Sequence, residues 1–373
     1  MAVNGQDLLR MVASGQAGPW WLSGLRAACR AGAALYGAGA WLDRLAHERG
    51  GKKRLRLPGP LIGVGNLAVG GAGKTPLTLE IVRRLTRLGA PAAVMSRGYG
   101  RRSTAGVSWV WREGRLLADA HEAGDEPVLL ARRLGVPVAV GADRHAVGLA
   151  LLAHCPDCVL VADDLFQHHR LHRDLDIVAL DASDPLGGGF VLPRGLLREP
   201  PTALARADAL VLTKVAGPEQ IERATRLVEP YLRPGAPLLA CAYRVDSFCG
   251  PHGQTVAATQ LRGRKAAAFC GLARPESFAR TLEGLGLEIA AFTTFADHHF
   301  FTADELRAVW RAAEKAGAQM IVCTEKDRAR LIDQPPMTGP PLYSTVLDVD
   351  FGDDSPRLDV LLRGGLEQWA VAR

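Results

Sequence analysis

The sequence contains no apolar run of the length that a bilayer-spanning helix needs, about 20 residues. It also has no basic stretch leading into an apolar core and a small-residue cleavage site. The first absence excludes a clean membrane span, and the second predicts a chain without a secretory leader. Cysteine is sparse: seven residues in 373, an odd number scattered from Cys29 to Cys323. That excludes a disulfide-built scaffold and predicts a reducing compartment. Internal repeats and low-complexity tracts are lacking as well. Apolar residues at 48% and charged residues at 23% exclude a disordered or fibrous chain. The length suffices for two domains without staples.

A uniformly basic surface is also missing. The net charge is +6, and residues 1–56 carry all of it, with nine basic residues against three acidic ones; the other 317 residues hold 36 of each sign. A basic body would point to nucleic acid, which is not expected here. A basic end on a neutral body predicts a local partner such as an anionic membrane surface. The segment 20–46 carries Trp20, Trp21, Leu25, Leu35, Tyr36, Trp41 and Leu42, interrupted by Arg26 and Arg30. It reads as helix, and two placements stand. One is an interfacial helix lying in a membrane surface. The other is a helix packed on the protein's own core with its arginines solvated.

From residue 60 short apolar runs alternate with helical ones. Strand candidates are 61–67, 91–96, 136–141, 158–164, 176–182 and 207–213, and 75–89 has helical spacing with a glycine stop. This predicts an α/β fold with a mostly parallel sheet covered by helices on both faces. Residues 106–119 read as an inserted hairpin. After about 215 the pattern restarts, with strands at 236–243, 265–271, 287–295, 318–324 and 342–350 and helices at 275–285 and 302–316. The expected domains are therefore 1–56, a basic amphipathic membrane-associated segment; 57–215, the larger α/β domain; and 216–373, a smaller α/β domain closing over the site.

The strongest local signal is GNLAVGGAGKTP at 65–76. A phosphate loop needs glycines so that backbone N–H groups wrap a phosphate, a lysine for the β- and γ-phosphates, and a hydroxyl for Mg²⁺. Gly70, Gly71 and Gly73 supply the turn, Lys74 the charge and Thr75 the hydroxyl, with Ala68, Val69 and Ala72 completing the loop; the following helix points its N-terminus at the anion. The strict pattern wants glycine where this chain has Ala68. A buried strand ending in Asp163 and Asp164 (VLVADDLFQHH) is the companion element, since such carboxylates reach Mg²⁺ directly or through water. GDEP places Asp125 before a helix. There it is either an N-cap or a carboxylate that orients or deprotonates an attacking hydroxyl. Arg97, Arg101, Arg102 and Arg144 lie on loops, and LPRGLLREP adds Arg194 and Arg198; arginine suits phosphate recognition. In FADHHFFTADEL, Thr302 reads as an N-cap, while His298 and His299 stay undecided between base, metal ligand and helix entry. Cys155 and Cys158 have redox spacing but precede a strand, so they read as structural. VLTKVAG resembles a guanine-reading signature but has Ala216 where aspartate is needed, which counts against GTP.

Taken in order, GNLAVGGAGKTP, SRGYGRR, GDEP, GADRH, DDLFQHH, LPRGLLREP, FCGLARPESF, FADHHF and CTEKDRARL resemble the tetraacyldisaccharide 4′-kinase family of Gram-negative bacteria, over about residues 14–350. The resemblance implies a P-loop NTPase-like kinase that uses ATP and Mg²⁺ to phosphorylate the 4′-hydroxyl of a tetraacylated glucosamine disaccharide 1-phosphate. The product would be lipid IV-A, made at the cytoplasmic face of the inner membrane with no obligate protein partner. It implies that Asp125 activates the hydroxyl, assisted by His298. Glu126, Asp163 and Asp164 would arrange Mg²⁺, and Tyr99, Arg144, Gln167 and Arg198 would line the nucleotide or sugar-phosphate site. Two alternatives stay open: a soluble P-loop kinase with a small polar substrate, and a P-loop ATPase stimulated by a protein partner.

Overall fold

The computed structural model describes residues 11–13, 19–48, 51, 53–99, 101, 106–331 and 338–371. In chain order its main elements are α1 (Trp20–Glu48), β1 (Leu61–Asn66), α2 (Lys74–Arg87), β2 (Ala92–Ser96), β3 (Ser108–Arg112), β4 (Arg115–Leu116), α3 (Ala120–Ala123), α4 (Asp125–Leu134), β5 (Val138–Val140), α5 (Arg144–His154), β6 (Val159–Asp163), β7 (Leu175–Asp181) and β8 (Ala209–Thr213). They continue with α6 (Pro218–Val228), β9 (Leu238–Ala240), β10 (Ala242–Cys249), β11 (Thr255–Ala257), β12 (Lys265–Cys270), α7 (Pro275–Gly284), β13 (Glu288–Thr294), α8 (Ala303–Lys315), β14 (Met320–Cys323), α9 (Glu325–Ala329), β15 (Leu342–Asp350) and α10 (Ser355–Val371).

The chain forms two compact units and passes between them repeatedly. Unit 1 comprises Met1–Arg97, Gly141–Tyr243 and Val349–Arg373; unit 2 comprises Gly98–Val140 and Arg244–Asp348. This corrects the expected split at 215/216 in three places. Residues 98–140, expected in the first domain, belong to unit 2. There β3 pairs antiparallel with β4, as the expected hairpin, and with β5. Strand β9, expected in the second domain, pairs parallel with β8 from Leu210↔Leu238 to Leu212↔Ala240 and extends the unit 1 sheet. The C-terminal helix α10 also belongs to unit 1. Buried Arg84 on α2 needs carboxylates around it, and it takes Glu80 at 2.7 Å, Asp359 at 2.8 Å and the Ser355 carbonyl at 2.7 Å.

Within unit 1 the parallel order is β2-β6-β1-β7-β8-β9. Strands β1, β2, β6 and β8 are buried at every residue. Both faces of the sheet are therefore covered, which is why LIGVGN, AAVMS, VLVAD and ALVLT run apolar without alternation. The parallel main-chain direction brings the C-terminal ends of β1, β6, β7 and β8 to one end of the sheet: the glycine loop follows β1, Asp163 closes β6 with Asp164 and Gln167 after it, and Arg198 lies on the connection after β7.

Unit 2 holds the strand order β11-β10-β15-β14-β12-β13. Its central strands alternate between two cores, as a pleated strand must. Ala266, Ala268, Cys270, Met320 and Val322 face a cluster with Phe248, Phe278 and Leu282. Ala267, Phe269, Ile321 and Cys323 face another, with Phe301, Leu306 and Trp310.

Helix α1 leaves large apolar side chains in the open. Trp20 is 89% and Leu35 78% exposed; Tyr36, Leu42 and Trp21 are exposed too, while Leu22 and Ala33 are buried. Gly32 on its inner side meets Pro193. No helix among the described residues is long and apolar enough to cross a membrane. The expected anchor residue Trp41 and the basic residues Arg49 and Lys52 lie outside the described side chains and residues, as does Arg102. Cys155 and Cys158 are joined by a disulfide in the turn between α5 and β6, with Cα atoms 5.4 Å apart. The pair was expected to be structural in a chain without a disulfide-built scaffold, and the Cys-x-x-Cys turn brings the two sulfurs within bonding reach.

Candidate active site

Two clusters of chemistry-bearing side chains form, one in each unit. In unit 1, Leu61–Asn66 leads into the loop Ala68–Gly73, and α2 begins at Lys74. Gly70 (φ 119°) and Gly73 (φ 81°) hold backbone conformations that a Cβ would strain. Ala68, by contrast, is absent from the positive-φ residues and forms an antiparallel bridge with Leu197, so the missing consensus glycine is not needed there. Lys74 Nζ donates to Asn66 Oδ1 at 3.1 Å and lies 3.6 Å from Asp164 Oδ1. Asp164 (φ 57°) turns its carboxylate onto Arg198, whose Nη1 reaches both oxygens at 2.8 and 3.0 Å and Gln167 Oε1 at 3.3 Å. Gln167 Nε2 donates to the Asn66 carbonyl at 2.9 Å. Burial pushes the Asp164 carboxyl up, but Lys74 and Arg198 outweigh it and hold the group below the usual range.

Asp163 is buried at the end of β6, and its Oδ1 accepts from Thr78 Oγ1 on α2 at 3.4 Å. Thr75, one turn earlier on the same helix, is also buried. A hydroxyl and a carboxylate are hard oxygen donors of the kind Mg²⁺ takes, so Thr75 and Asp163 fit that ion. Asp164 fits it less well, because both of its oxygens accept from Arg198. Among the described residues no group of three His, Cys, Asp or Glu could hold a metal by itself. That suits an ion whose remaining ligands are phosphate oxygens and water.

In unit 2 the expected Asp125–His298 pair forms. Asp125 is not an N-cap: α4 starts on it, and Gly124 (φ 94°) occupies the cap, where a Cβ would meet the Tyr99 carbonyl at 2.8 Å. Asp125 Oδ2 accepts from His298 Nδ1 at 3.1 Å and from Arg330 Nε and Nη2 at 2.9 and 2.5 Å. Its Oδ1 accepts from the Glu126 amide at 3.0 Å. Burial would raise the Asp125 carboxyl, but the His298 hydrogen bond and the charges of Arg330 and Lys326 hold it well below the usual range. The same hydrogen bond pushes the His298 imidazole up. His298 sits at φ 59° with its side chain half exposed. His299 is used otherwise: its Nε2 lies 2.9 Å from Glu305 Oε2, inside the capping box that Thr302 forms at the start of α8. Tyr99, 79% exposed, has its ring 6.5 Å from that of His298. Glu126 pairs with Lys326 at 2.5 Å.

Arg144, expected to line the nucleotide or sugar-phosphate site, is the first residue of α5. It is buried and donates to the Gly141 and Ala142 carbonyls at 2.5 and 3.5 Å; burial and the charge of Arg144, with Arg173 and Arg170, push His168 down to about 4. The guanidinium thus holds the carbonyls of its own loop and lowers the neighbouring imidazole.

Several residues of both clusters went unnoticed in the sequence. Asn66 holds Lys74. Thr213, Lys214 and Tyr243 reach the phosphate loop. In unit 2, Arg330 is fully buried and links Asp125 to Asp327, which is itself held by Thr324 Oγ1 at 2.6 Å and the Gly271 amide at 3.0 Å. The signal for these was five charged residues in TEKDRAR directly behind a buried strand. Charge that follows a buried strand is either solvated or paired inside, and only the fold tells which.

The model of the family described as tetraacyldisaccharide-1-P 4′-kinase (LpxK) matches residues 25–366. The tetraacyldisaccharide 4′-kinase of Anaeromyxobacter sp. (strain K) is 45% identical over 307 residues, covering 81% of this chain and 78% of the relative. That of Syntrophobacter fumaroxidans is 41% identical over 324 residues, covering 86% and 83%. The solved structure of "apo" form LpxK from Aquifex aeolicus in complex with ATP is 30% identical, with a TM-score of 0.74 over 92% of this chain and 99% of that one.

Proposed function

The chain belongs to the tetraacyldisaccharide-1-P 4′-kinase family, and on that premise we propose that it transfers the γ-phosphoryl group of ATP to the 4′-hydroxyl of a tetraacylated glucosamine disaccharide 1-phosphate. The observation that carries the reading is Lys74, placed behind a glycine loop and against Asp164 and Asn66, at the ends of buried parallel strands. Phosphoryl transfer asks for positioning and charge neutralisation rather than covalent chemistry. The loop amides and Lys74 take the β- and γ-phosphates. Asp164 holds Lys74 and Arg198 in register. Thr75 and Asp163 would hold Mg²⁺, which when bound neutralises charge on the phosphate oxygens.

Asp125 and His298 act as one unit on the acceptor hydroxyl. Asp125 is kept ionised by Arg330, so it is a strong acceptor but a weak proton store. Donation from Nδ1–H to Asp125 fixes the imidazole tautomer, and Nε2 is then the basic nitrogen. The hydroxyl proton therefore ends on the pair, with His298 carrying it.

The exposed apolar face of α1 and the basic excess of residues 1–56 suit the headgroup region of an anionic bilayer, where an acylated disaccharide resides. On this reading the enzyme works at the cytoplasmic face of the inner membrane without a protein partner. The test is incubation of purified protein with the disaccharide 1-phosphate in detergent micelles, ATP and Mg²⁺, followed by mass analysis of the lipid. A mass gain of one phosphate, dependent on ATP, is expected. ATP hydrolysis without phosphorylated lipid would favour the partner-stimulated ATPase instead.

A further inference from the structure

Three consecutive carbonyls of the phosphate loop are each taken by a side chain from outside it. Lys214 Nζ donates to Gly71 O and, at 2.8 Å, to Asp181 Oδ2. Thr213 Oγ1 donates to Ala72 O at 2.8 Å, the nearer of its two carbonyl neighbours, with Leu180 O at 3.2 Å. Tyr243 Oη donates to Gly73 O at 2.6 Å. Thr213 is fully buried at the end of β8, in register with Asp181 at the end of β7. Lys214 follows at φ 57°, a conformation that an L-residue adopts at a cost. The Tyr243 ring fills the space that a side chain at Gly73 would occupy: a Cβ there would meet Oη at 1.8 Å. Burial holds the Tyr243 phenol well above its ordinary range, so it stays protonated and able to donate.

The consequence follows from the planar trans peptide, in which C=O and the next N–H point in opposite directions. With Ala72 O fixed on Thr213 and Gly73 O fixed on Tyr243, the Gly73 and Lys74 amides are aimed away from both clamping groups. Successive amides aimed to one side make an anion-binding concavity. A glycine-rich loop without such ties would sample many backbone conformations and lose that freedom on binding.

We propose that Thr213, Lys214 and Tyr243 are positioning residues that clamp the carbonyls of the phosphate loop from behind and so preset its amides for the phosphates of the nucleotide. The proposal deepens the kinase reading and rests on it only for the identity of the anion. VLTKVAG thus owes its Thr-Lys to the loop rather than to a base-reading role.

The test uses the full-length protein and the conservative variants Thr213→Val, Thr213→Ser and Tyr243→Phe, with Lys74→Ala alongside. Direct ATP binding is measured by calorimetry, with melting of the nucleotide-free protein as a check on folding. Thr213→Val and Tyr243→Phe are expected to weaken ATP binding about ten- to hundredfold: the first takes the side-chain donor from the Ala72 carbonyl, and the second leaves the Gly73 carbonyl to the Leu77 amide alone, so the loop amides lose their fixed aim. Thr213→Ser restores binding, because the hydroxyl returns. Melting of the free protein changes little for Tyr243→Phe, which loses one oxygen. Unchanged ATP affinity in both Thr213→Val and Tyr243→Phe overturns the clamp. So does a loss of affinity that only parallels a loss of folded protein. Failure of the kinase reading looks different: the unaltered protein would bind ATP and leave the lipid unphosphorylated, with the clamp variants still separable by their affinities.

Discussion

The two clusters are built from opposite kinds of sequence. In unit 1 the residues proposed to hold phosphate lie within ten positions of chain, Asn66 to Thr75, and the physical demands on that stretch are local: glycine where φ is positive, a lysine at the helix start, a buried strand before it. In unit 2 the cluster draws Asp125, His298 and Arg330 from segments more than 170 and 30 residues apart; Asp125 and Arg330 are buried against each other, and half-exposed His298 reaches them from a strained turn. The first is a motif that advertises itself, whereas the second exists only once the fold has assembled it. A residue in the first fails by losing a ligand. A residue in the second fails by leaving a charge buried and alone, so the same kind of substitution has different consequences in the two places.

The largest expected effect is on the loop. Lys74→Ala removes the only side-chain cation the loop itself offers to the phosphates, and turnover is expected to fall by about a thousandfold or more, on the scale of a lost charge-stabilising donor. Radiolabelled phosphate transfer checks this, and near-normal turnover would remove Lys74 from the chemistry. In unit 2, Asp125→Asn is expected to lower kcat by about a hundred- to ten-thousandfold, the range of a lost acid–base group, with the KM for ATP little changed. Arg330→Met separates structure from chemistry. It strips the buried partner from Asp125 and is expected to destabilise the fold by about 3–5 kcal/mol, visible as a lowered melting temperature. A variant with unchanged melting would mean the pair is not buried as a unit.

A smaller effect comes from protons. The hydrogen bond to Asp125 raises the His298 pKa above its ordinary value of 6.5. The basic form is the competent one, so activity is expected to fall as pH drops through a value above 6.5. His298→Ala should flatten that limb, and an acid limb that survives His298→Ala unchanged would assign it elsewhere. The smallest effect on chemistry, and the largest on location, belongs to the first segment. Deletion of residues 1–45 should abolish binding to anionic vesicles while ATP affinity stays the same. High salt should release the intact protein only in part, because screening acts on exposed charge and leaves apolar burial intact. Complete release by salt alone would make α1 a packed helix with a solvated basic tail.

The same contrast explains what could be read from the sequence. The strand ahead of the loop, the loop itself and the carboxylates after β6 were legible because continuous apolar runs mark strands buried on both faces. The Asp125–His298 pair was reached through family resemblance, since nothing in GDEP or FADHHF alone separates a base from a helix cap. The structure then divided the two histidines by their partners, Asp125 for one and Glu305 for the other. The inward turn of Arg144 onto the Gly141 carbonyl was not legible, because an arginine on a glycine-flanked loop looks solvent-bound in local sequence. The unit boundary was missed because β9 and α10 follow a pattern restart in sequence yet return to the first sheet, and pairing partners are not written in local periodicity. Asp164, Lys214 and His298, with Glu113 of the hairpin turn, are the non-glycine residues with positive φ among those described. Strain at three site positions leaves no mark in the sequence.

On the proposed reading labour is divided, with nucleotide held by the loop of unit 1 and the acceptor hydroxyl activated by Asp125 and His298 of unit 2. The most direct measurement pairs ATP affinity with single-turnover phosphate transfer in Lys74→Ala and Asp125→Asn. The account predicts that Lys74→Ala loses both, while Asp125→Asn binds ATP within about twofold of the unaltered protein and fails in transfer. An Asp125→Asn protein that loses ATP binding as severely as Lys74→Ala, with its fold intact, would contradict it.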